Sequence, residues 1–420
     1  MKVCLLCYRG NMYCGGQGVY LYYLSRELQR LGHEVDVMVG PPYPDISHGI
    51  RVHRLESLNL WDKKVEGVRE FLPRDNPLRV LTPFNLYEVA GRRLGMFPEM
   101  VTFSFRAYLK IRQLMASHRF DIVHDNQCLA YGLLPIRALG LPVVATIHHP
   151  LPIDTKAELA QARNLAERIK GIVLYPPFMQ GIVARRLDAV ITDSRSSARE
   201  VSRIFKVPQS KIRLVYPGVD TKVYRRLDGH KKEPNSLIMV GRTDDRKKGI
   251  RYLLQALRLL KRDDVGLRLT IVDKVNPRDS LALDLINEYG IGSMITFTGR
   301  ITTEELVARY SAAEIAVTPS VFEGFGLPAA EAMACEVPVI ATRVGALPEV
   351  VKEGETGILV PPEDPHALAG AIKQLLGDEA LRRRMGGEGR RRVERHFSWR
   401  QTAGQIVEVY QEALSRSNSA

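Results

Sequence analysis

Short runs of apolar, β-branched residues recur along the whole chain, and the segments between them carry apolar residues at helical spacing. Strands alternating with helices predict an α/β fold with parallel, doubly wound sheets. The first half predicts strands at 3–7, 35–39, 50–55, 121–124, 143–147, 189–192 and 212–215. The second half predicts strands at 237–240, 267–272, 295–298, 315–318, 337–341 and 357–360, and helices such as 250–260 and 367–376.

The length of the chain predicts two domains. Its 420 residues exceed what one hydrophobic core usually supports. The Tyr-Pro-Gly-Val-Asp segment at 216–220, followed by a polar stretch, marks a boundary. We therefore predict Rossmann-like domains at 1–218, which would bind the acceptor, and at 219–395. An amphipathic helix and tail at 396–420 should cross back to the first domain.

Composition and charge limit the binding partners and the cellular compartment that we expect for the protein. The formal charge of +13 favours phosphate-bearing partners such as nucleotides, nucleic acid or an anionic membrane surface. Five cysteines, an odd number, argue against a disulfide scaffold and for a reducing compartment. No secretory signal is visible, and the longest uncharged stretch, 171–184, is too short to span a bilayer. We expect a cytoplasmic protein, at most peripheral on the inner membrane face.

A glycine-rich turn, Cys-Gly-Gly-Gln-Gly at 14–18, lies between the first strand and the first helix. Glycines let a backbone approach an anion, and a helix N-terminus offers free N–H groups. A dinucleotide fingerprint would need a third glycine where Leu21 stands and an acidic residue where Val39 and Gly40 end the second strand. The turn therefore indicates either phosphate contact or a simple tight turn.

A charged loop, Gly-Arg-Thr-Asp-Asp-Arg-Lys-Lys-Gly at 241–249, follows the first strand of the second domain. Arg242 and Lys248 lie beside its terminal glycines. Two cations at the carboxyl end of a strand can neutralise a diphosphate, Arg through its fork and Lys as a point charge. The alternative, a solvated charged loop, suits Arg246 and Lys247 better.

The third candidate segment is Ser-Val-Phe-Glu-Gly-Phe-Gly-Leu-Pro-Ala-Ala-Glu at 320–331, after the strand at 315–318. Pro328 suits the first position of a helix. Glu323 and Glu331 would then flank an anion-binding turn and accept hydrogen bonds from hydroxyls of a sugar or a ribose, rather than serve as ordinary helix caps. The backbone N–H groups expected to face the ligand are those of Phe325, Gly326 and Leu327.

These three loops, together with the 216–220 linker, resemble the retaining family-four glycosyltransferases of the GT-B fold. The resemblance covers nearly all of the back half in order, plus the glycine turn at the front. It implies two Rossmann-like domains facing across a cleft. It also implies transfer of a sugar, a hexose above all, from a UDP- or GDP-linked donor to an acceptor hydroxyl, with retention of anomeric configuration.

The same resemblance implies which residues grip the phosphates. Arg242 and Lys248 would hold the donor diphosphate, and the amides of Gly15 and Gly16 would approach its β-phosphate. No Asp-x-Asp triplet occurs in the chain, so a metal clamp is not indicated and we expect no cofactor. The departing phosphate would assist the acceptor hydroxyl on the same face of the sugar.

The resemblance also implies sugar and nucleoside contacts. Glu323 would bind hydroxyls of the donor sugar and, with His148, would be catalytic. Glu331 would bind the ribose, and the backbone of Arg300 and Ile301 would border the base. A second histidine follows His148, so either ring could face the donor.

The acceptor is the least determined part. The 79–119 stretch mixes seven basic residues with aromatic ones, which suits either an anionic membrane with a lipid-linked or phosphate-bearing acceptor or a core-packing helix. Glycolipid, polysaccharide and small-glycoside synthesis all remain open. A sugar-nucleotide hydrolase, epimerase or phosphorylase of the same fold is the nearest alternative. A nucleic-acid binder is disfavoured because the basic residues are scattered among acids.

Overall fold

The computed structural model describes residues 1–12, 15–46, 49–60, 76–94, 97–153, 177–261, 266–273 and 280–418. The chain divides into two compact units, one formed by Met1–Val215 with Thr402–Ala420 and the other by Tyr216–Gln401. The division falls at the start of the 216–220 segment. The described part of the chain has no helix that combines the length and the apolar character needed to cross a membrane.

The first unit holds a seven-stranded sheet in the order β3-β2-β1-β4-β5-β6-β7, and every neighbouring pair is parallel. Each predicted strand of this half is present. The strands are β1 Lys2–Cys7, β2 Glu34–Val39, β3 Arg51–Arg54, β4 Ile122–Asn126, β5 Val143–Ile147, β6 Ala189–Thr192 and β7 Ile212–Leu214.

Helices cover this sheet, so its central strands β1, β4 and β5 are buried along nearly their whole length. They are α1 Gly16–Arg30, α2 Pro83–Arg93, α3 Glu99–Leu114, α4 Leu133–Ala138, α5 Pro177–Arg186 and α6 Arg195–Phe205, with 3-10 turns at Pro77–Leu81 and Gln209–Lys211. Along α3, Phe103, Ala107 and Ile111 recur at helical spacing and lie in the core. For α3, the core-packing alternative is therefore confirmed.

The second unit holds a six-stranded sheet in the order β10-β9-β8-β11-β12-β13, also parallel throughout. Its strands are β8 Ser236–Val240, β9 Arg268–Val272, β10 Ile295–Phe297, β11 Ile315–Thr318, β12 Val339–Thr342 and β13 Gly357–Val360. Its helices are α7 Ile250–Leu260, α8 Ser280–Tyr289, α9 Thr303–Ala312, α10 Leu327–Ala334, α11 Leu347–Val350, α12 Pro365–Gly377 and α13 Glu379–His396, with 3-10 turns at Arg246–Lys248 and Gly292–Met294.

The final helix, α14 Trp399–Asn418, belongs to the first unit from Thr402 onward. Its Tyr410 is fully buried, and the hydroxyl lies 2.6 Å from Nδ1 of His124 on β4. The predicted return of the C-terminal helix to the first domain thus rests on a buried polar contact as well as on apolar packing.

Strand order places candidate ligand sites at two points. In the first sheet the chain moves outward from β1 to β2 and β3, then crosses to β4 on the other side. In the second sheet it moves from β8 to β9 and β10, then crosses to β11. Ligands of open α/β sheets bind outside the carboxyl ends of the strands at such a switch point. The loops after β1, β4, β8 and β11 are therefore the candidate ligand-binding loops.

Candidate active site

In the second unit, the loops after β8 and β11 bring Lys248 and Glu323 together. Nζ of Lys248 lies 2.8 Å from Oε2 and 3.1 Å from Oε1 of Glu323, and Oγ of Ser320 donates to Oε2 at 3.1 Å. Burial alone would lower the pKa of Lys248, but the Glu323 carboxylate more than offsets it, so the pKa is raised. The site therefore presents a charged ammonium and a carboxylate side by side.

Glycines allow these two loops to approach closely. Gly249 has φ +67°, and a Cβ there would lie 1.9 Å from the carbonyl oxygen of Pro319. The amide of Val321 donates to the carbonyl of Lys247 at 2.7 Å. On the other side, a Cβ on Gly345 would lie 1.9 Å from the carbonyl oxygen of Glu323. Any other residue at these two glycines would push the loops apart.

Arg242 lies in the same loop as Lys248, and its side chain is about half exposed, at 55%. Its guanidinium forms a two-pronged ion pair with Asp244, at 2.8 Å from Nε and 2.6 Å from Nη2. The next residue, Thr243, is buried, and both its amide and its hydroxyl donate to Asp273 at the end of β9. Asp273 therefore fixes the loop at Thr243. The side chain of Arg242, one residue earlier, stays about half exposed to solvent.

The segment after β11 leads into α10 much as predicted, with two corrections. The helix begins at Leu327, so Pro328 takes its second position, and Glu331 lies in the second turn rather than the first. Gly326, at φ +100°, is the cap. The ring of Phe325 is buried and packs edge-on against Phe397 at 5.4 Å, so Phe325 can offer a ligand only its backbone.

Glu331 lies in a less solvated setting than Glu323. Burial raises the pKa of Glu331 to about 7, although hydrogen bonds from Tyr224 and Tyr310 lower it. The Tyr310 hydroxyl also donates to the carbonyl of Pro328 at 3.2 Å. Hydrogen bonds donated to a carboxyl group favour its ionised form, so the two tyrosine hydroxyls partly offset the effect of burial at Glu331.

The predicted border of the base precedes α9. Arg300 is exposed, whereas Ile301 is partly buried and packs against the cluster that contains Phe325. Thr302 then caps α9 in a reciprocal capping box with Glu305. The cap fixes where the helix starts and hence where the Arg300–Ile301 backbone lies.

In the first unit, the glycine turn opens α1. Gly15 has φ +122° and caps the helix, and both Gly15 and Gly16 are exposed. Gly18 has a different task, because a Cβ there would lie 2.1 Å from the carbonyl oxygen of Asn11. Cys14 lies outside the described residues. Two exposed glycines thus lie at the N-terminus of a 15-residue helix, a position that favours anions in general.

The ring of His148 lies in a polar cluster at the carboxyl ends of β4, β5 and β6. Its Nε2 lies 2.9 Å from Oδ1 of Asn126 and its Nδ1 lies 3.3 Å from Oδ2 of Asp193. The ring of Tyr20, on α1, packs edge-on at 5.0 Å. Gln127 accepts from the His148 amide at 2.7 Å. The ring of the first histidine of the pair therefore occupies the cluster.

Asn126 connects this cluster to the glycine turn. Its Nδ2 donates to the carbonyl of Gln17 in the first turn of α1, at 2.9 Å. That contact fixes the amide orientation, so Oδ1 must accept from His148 and Nε2 of His148 carries a proton. No motif identified Asn126 or Asp193 from the sequence. The available signal was the polar residues that end or directly follow buried strands.

Comparison with known proteins identifies the family of both halves of the chain. The family described as Glycosyltransferase Family 4 matches residues 14–223, and the family described as Glycosyl transferases group 1 matches residues 220–392. An MMP alpha-(1->4)-mannosyltransferase from Mycolicibacterium hassiacum is 40% identical, covering 99% of each chain. A D-inositol 3-phosphate glycosyltransferase from Thermobispora bispora is 27% identical, covering 96% of this chain and 91% of that protein.

A solved structure of sucrose-phosphate synthase from Thermosynechococcus elongatus has a TM-score of 0.74 at 27% identity, covering 99% of this chain and 100% of that chain. Its likeness runs across both sheets. The chain belongs to the family-four glycosyltransferases of the GT-B fold.

Proposed function

We propose that this glycosyltransferase moves a hexosyl residue from a UDP- or GDP-linked sugar to an acceptor hydroxyl, with retention of anomeric configuration and without a metal ion. The observation that carries the proposal is the Lys248–Glu323 pair at the β8–β11 switch point. An ammonium for a phosphate and a carboxylate for sugar hydroxyls lie within one hydrogen bond of each other, as a sugar diphosphate requires.

The charge that develops on the departing diphosphate explains why Lys248 and Arg242 would lie beside it. As the sugar leaves, negative charge grows on the diphosphate, and groups fixed in advance to receive that charge lower the barrier most. Lys248 is such a group. Arg242 would exchange Asp244 for the diphosphate, and the N-terminus of α10 adds the amides of Gly326 and Leu327. With these groups in place, activity should survive EDTA; loss of activity that magnesium restores would contradict this.

Retention is proposed to follow from attack on the face that the leaving group vacates, with the departing phosphate taking the acceptor proton. Glu323 would orient the donor sugar and Glu331 the ribose beside Ile301. In the first unit, we propose that the amides of Gly15 and Gly16 contact a phosphate. The ring of His148, held by Asn126 and Asp193, would lie against the donor sugar.

The test begins with the nucleotide, because it needs no acceptor. Thermal-shift titration with UDP, GDP and ADP should raise the melting temperature with one of the first two, by mass action on the folded state. The matching hexose donors follow, mannose included, since the 40%-identical relative is named a mannosyltransferase. Proton NMR of the product then reads the anomeric configuration. No shift with any nucleotide, or an inverted product, would overturn the proposal.

Contact with an anionic membrane is proposed separately. Leu78 and Leu94 are each 70% exposed and lie near Arg79 and Arg93, an arrangement that suits a bilayer interface. Co-sedimentation with phosphatidylglycerol vesicles, but not with phosphatidylcholine vesicles, is the expected result. Equal recovery in both supernatants would contradict membrane contact.

A further inference from the structure

A chain of hydrogen-bonded side chains runs through the first unit from the C-terminal helix toward His148. The Tyr410 hydroxyl, on α14, lies 2.6 Å from Nδ1 of His124 on β4, and Nε2 of the same ring lies 2.7 Å from Oγ1 of Thr146 on β5. That Oγ1 atom lies in turn 3.0 Å from the hydroxyl of Tyr20 on α1. The chain therefore joins the first helix of the protein to the last one through two central strands.

The four members of the chain are all buried, with at most 2% of any side chain exposed. Burial is the main reason why the pKa of His124 falls to about 3, so the ring is neutral near pH 7. A neutral imidazole donates through one nitrogen and accepts through the other, and the Thr146 hydroxyl has a single hydrogen to donate. The direction of each hydrogen bond therefore limits the direction of the next. Buried networks whose members all have partners make the surrounding core rigid.

Tyr20 is the end of the chain that contacts the candidate active site. Its ring packs edge-on against the ring of His148, with 5.0 Å between the centroids, and lies 6.5 Å from the ring of His124. Asn126 and Asp193 contact the two ring nitrogens of His148. The Tyr20 ring adds an aromatic contact, and this contact limits where the imidazole of His148 can lie.

Apolar side chains would fill the same space without the cost of burying four polar groups. What the polar chain adds is direction, because each hydrogen bond fixes the orientation of both partners. We infer that the chain from Tyr410 to Tyr20 holds the ring of His148 in place for the donor sugar. Tyr20 and Thr146 are then positioning residues, and the C-terminal helix contributes to donor binding through them. This inference rests on the proposed function, which places His148 against the donor sugar.

Substitutions at Thr146 separate positioning from packing. Thr146→Val keeps the branched shape and removes the hydroxyl, whereas Thr146→Ser keeps the hydroxyl and loses a buried methyl group. Tyr410→Phe breaks the chain at its other end and keeps the inference testable should Thr146→Val fail to fold. The control for lost stability is Ile111→Val, which removes a buried methyl group on α3, outside the chain.

Two measurements are made on each variant, and neither needs an acceptor. Calorimetric titration compares UDP with UDP-glucose and GDP with GDP-mannose, so that the contribution of the sugar is read by difference. Two-dimensional NMR of protein labelled at histidine follows the ring signals of His148, which are identified by their loss in His148→Gln.

We expect Thr146→Val to bind the sugar nucleotide about tenfold more weakly, as for loss of a buried hydrogen bond, while the affinity for the nucleotide alone does not change. Tyr410→Phe should act in the same direction but less strongly, because it leaves the bond between Thr146 and Tyr20. The ring signals of His148 should move in both variants. Thr146→Ser should restore the wild-type affinity and spectrum, although its melting temperature falls as in Ile111→Val.

Unmoved His148 signals in both Thr146→Val and Tyr410→Phe would overturn the inference. A sugar-nucleotide affinity that simply follows the melting temperature across the four variants would overturn it as well. Failure of the wild type to bind any of the four ligands would instead overturn the proposed function. The spectra need no ligand, so they decide in either case whether the chain positions His148.

Discussion

The ammonium group of Lys248 lies within hydrogen-bond distance of both carboxylate oxygens of Glu323. The lysine comes from the loop after β8 and the glutamate from the loop after β11, 75 residues later. Each charge neutralises the other in a poorly solvated position. A ligand that separates the two side chains must therefore give each of them a new partner. A sugar diphosphate does so, with phosphate for the lysine and hydroxyls for the glutamate.

Replacing Glu323 with Gln should separate sugar handling from nucleotide binding. The amide keeps the shape of the side chain and one acceptor for Lys248, but it loses the charged acceptor for donor-sugar hydroxyls. We expect turnover to fall about 100-fold or more, as for loss of one preorganised polar group, and nucleotide affinity to stay within about threefold. Single-turnover kinetics and calorimetric titration with the nucleotide measure the two effects.

The control for this variant is Glu304→Gln, an exposed glutamate in the first turn of α9. It should leave both measurements unchanged. Wild-type turnover in Glu323→Gln would remove Glu323 from the active site.

Replacing Gly249 with Ala should separate the two loops. Gly249 and Gly354 have similar backbone angles, φ +67° and φ +71°, but only at Gly249 would the added Cβ meet backbone, at 1.9 Å from Pro319; at Gly354 nothing lies within 4 Å. Each alanine should cost about 1–2 kcal/mol for the left-handed conformation. We expect Gly249→Ala to cost more and to weaken nucleotide binding at least about tenfold.

Gly354→Ala gives the cost of the backbone conformation alone. Calorimetric melting and nucleotide titration of both variants complete the comparison. Equal losses of stability and equal nucleotide affinity would show that the approach of the loops at Gly249 does not matter.

The strands could be predicted because burial on both faces imposes an unbroken apolar run. Residues 143–147, 189–192, 315–318 and 357–360 form strands with the predicted bounds. Other strands differ from their predicted bounds by one or two residues, and β4 shows why. The prediction ended β4 at 124, where polar residues begin, yet the strand continues to Asn126 because Asp125 and Asn126 pair with Ala145 and Thr146 on β5. Pairing with β5 keeps Asp125 and Asn126 in the sheet, although Asp and Asn have low intrinsic preference for strands.

Some residues of the candidate site could likewise be predicted from the sequence, and others could not. Lys248 and Glu323 could be proposed from the sequence because each lies in a glycine-bounded loop after a strand. Asn126 and Asp193 could not, because they meet His148 only through the order of β4, β5 and β6 in the sheet. Local spacing carries no information about that order. The roles implied for Gly15, Gly16, Arg300 and the other residues stay predictions.

Asn126 should act as a positioning residue for His148. Its amide donates to the Gln17 carbonyl and accepts from the His148 ring, so Asn126→Ala removes both contacts. We expect a loss of about 1–3 kcal/mol in stability and a fall in kcat of about tenfold. Asn126→Asp keeps an acceptor for His148 and loses the donor to Gln17.

Partial recovery of kcat in Asn126→Asp, without recovery of stability, would show that the His148 contact matters for turnover. The control is Asn287→Ala, at an exposed position on α8. A kcat that simply follows the melting temperature across these variants would reduce Asn126 to a structural role.

His124 should make the stability of the protein depend on pH. Its ring is buried between the Tyr410 hydroxyl and Oγ1 of Thr146, at 2.6 and 2.7 Å. Burial, with a smaller contribution from His148, lowers its pKa from 6.5 to about 3. The unfolded chain therefore takes up a proton on this ring at pH values where the folded chain does not.

The stabilisation due to the neutral ring is fully present above pH 6.5 and is lost as the pH falls toward 3, by up to about 1.4 kcal/mol for each pH unit. Asp125 and Glu331, whose pKa values burial raises to about 7, act in the opposite sense, because they favour the folded state below that pH. The pH dependence of the free energy of unfolding therefore combines contributions that weaken the fold as the pH falls with contributions that strengthen it. The difference between the wild type and His124→Gln isolates the histidine.

Urea unfolding of both proteins from pH 7 to pH 4.5 measures that difference. His124→Gln should be the less stable protein at pH 7, because glutamine cannot span Tyr410 and Thr146 with the same geometry, and its disadvantage should shrink steadily as the pH falls. His366→Gln, at an exposed position, should follow the wild type throughout. A disadvantage that stays constant across this range would mean that His124 does not titrate differently in the folded and unfolded chains.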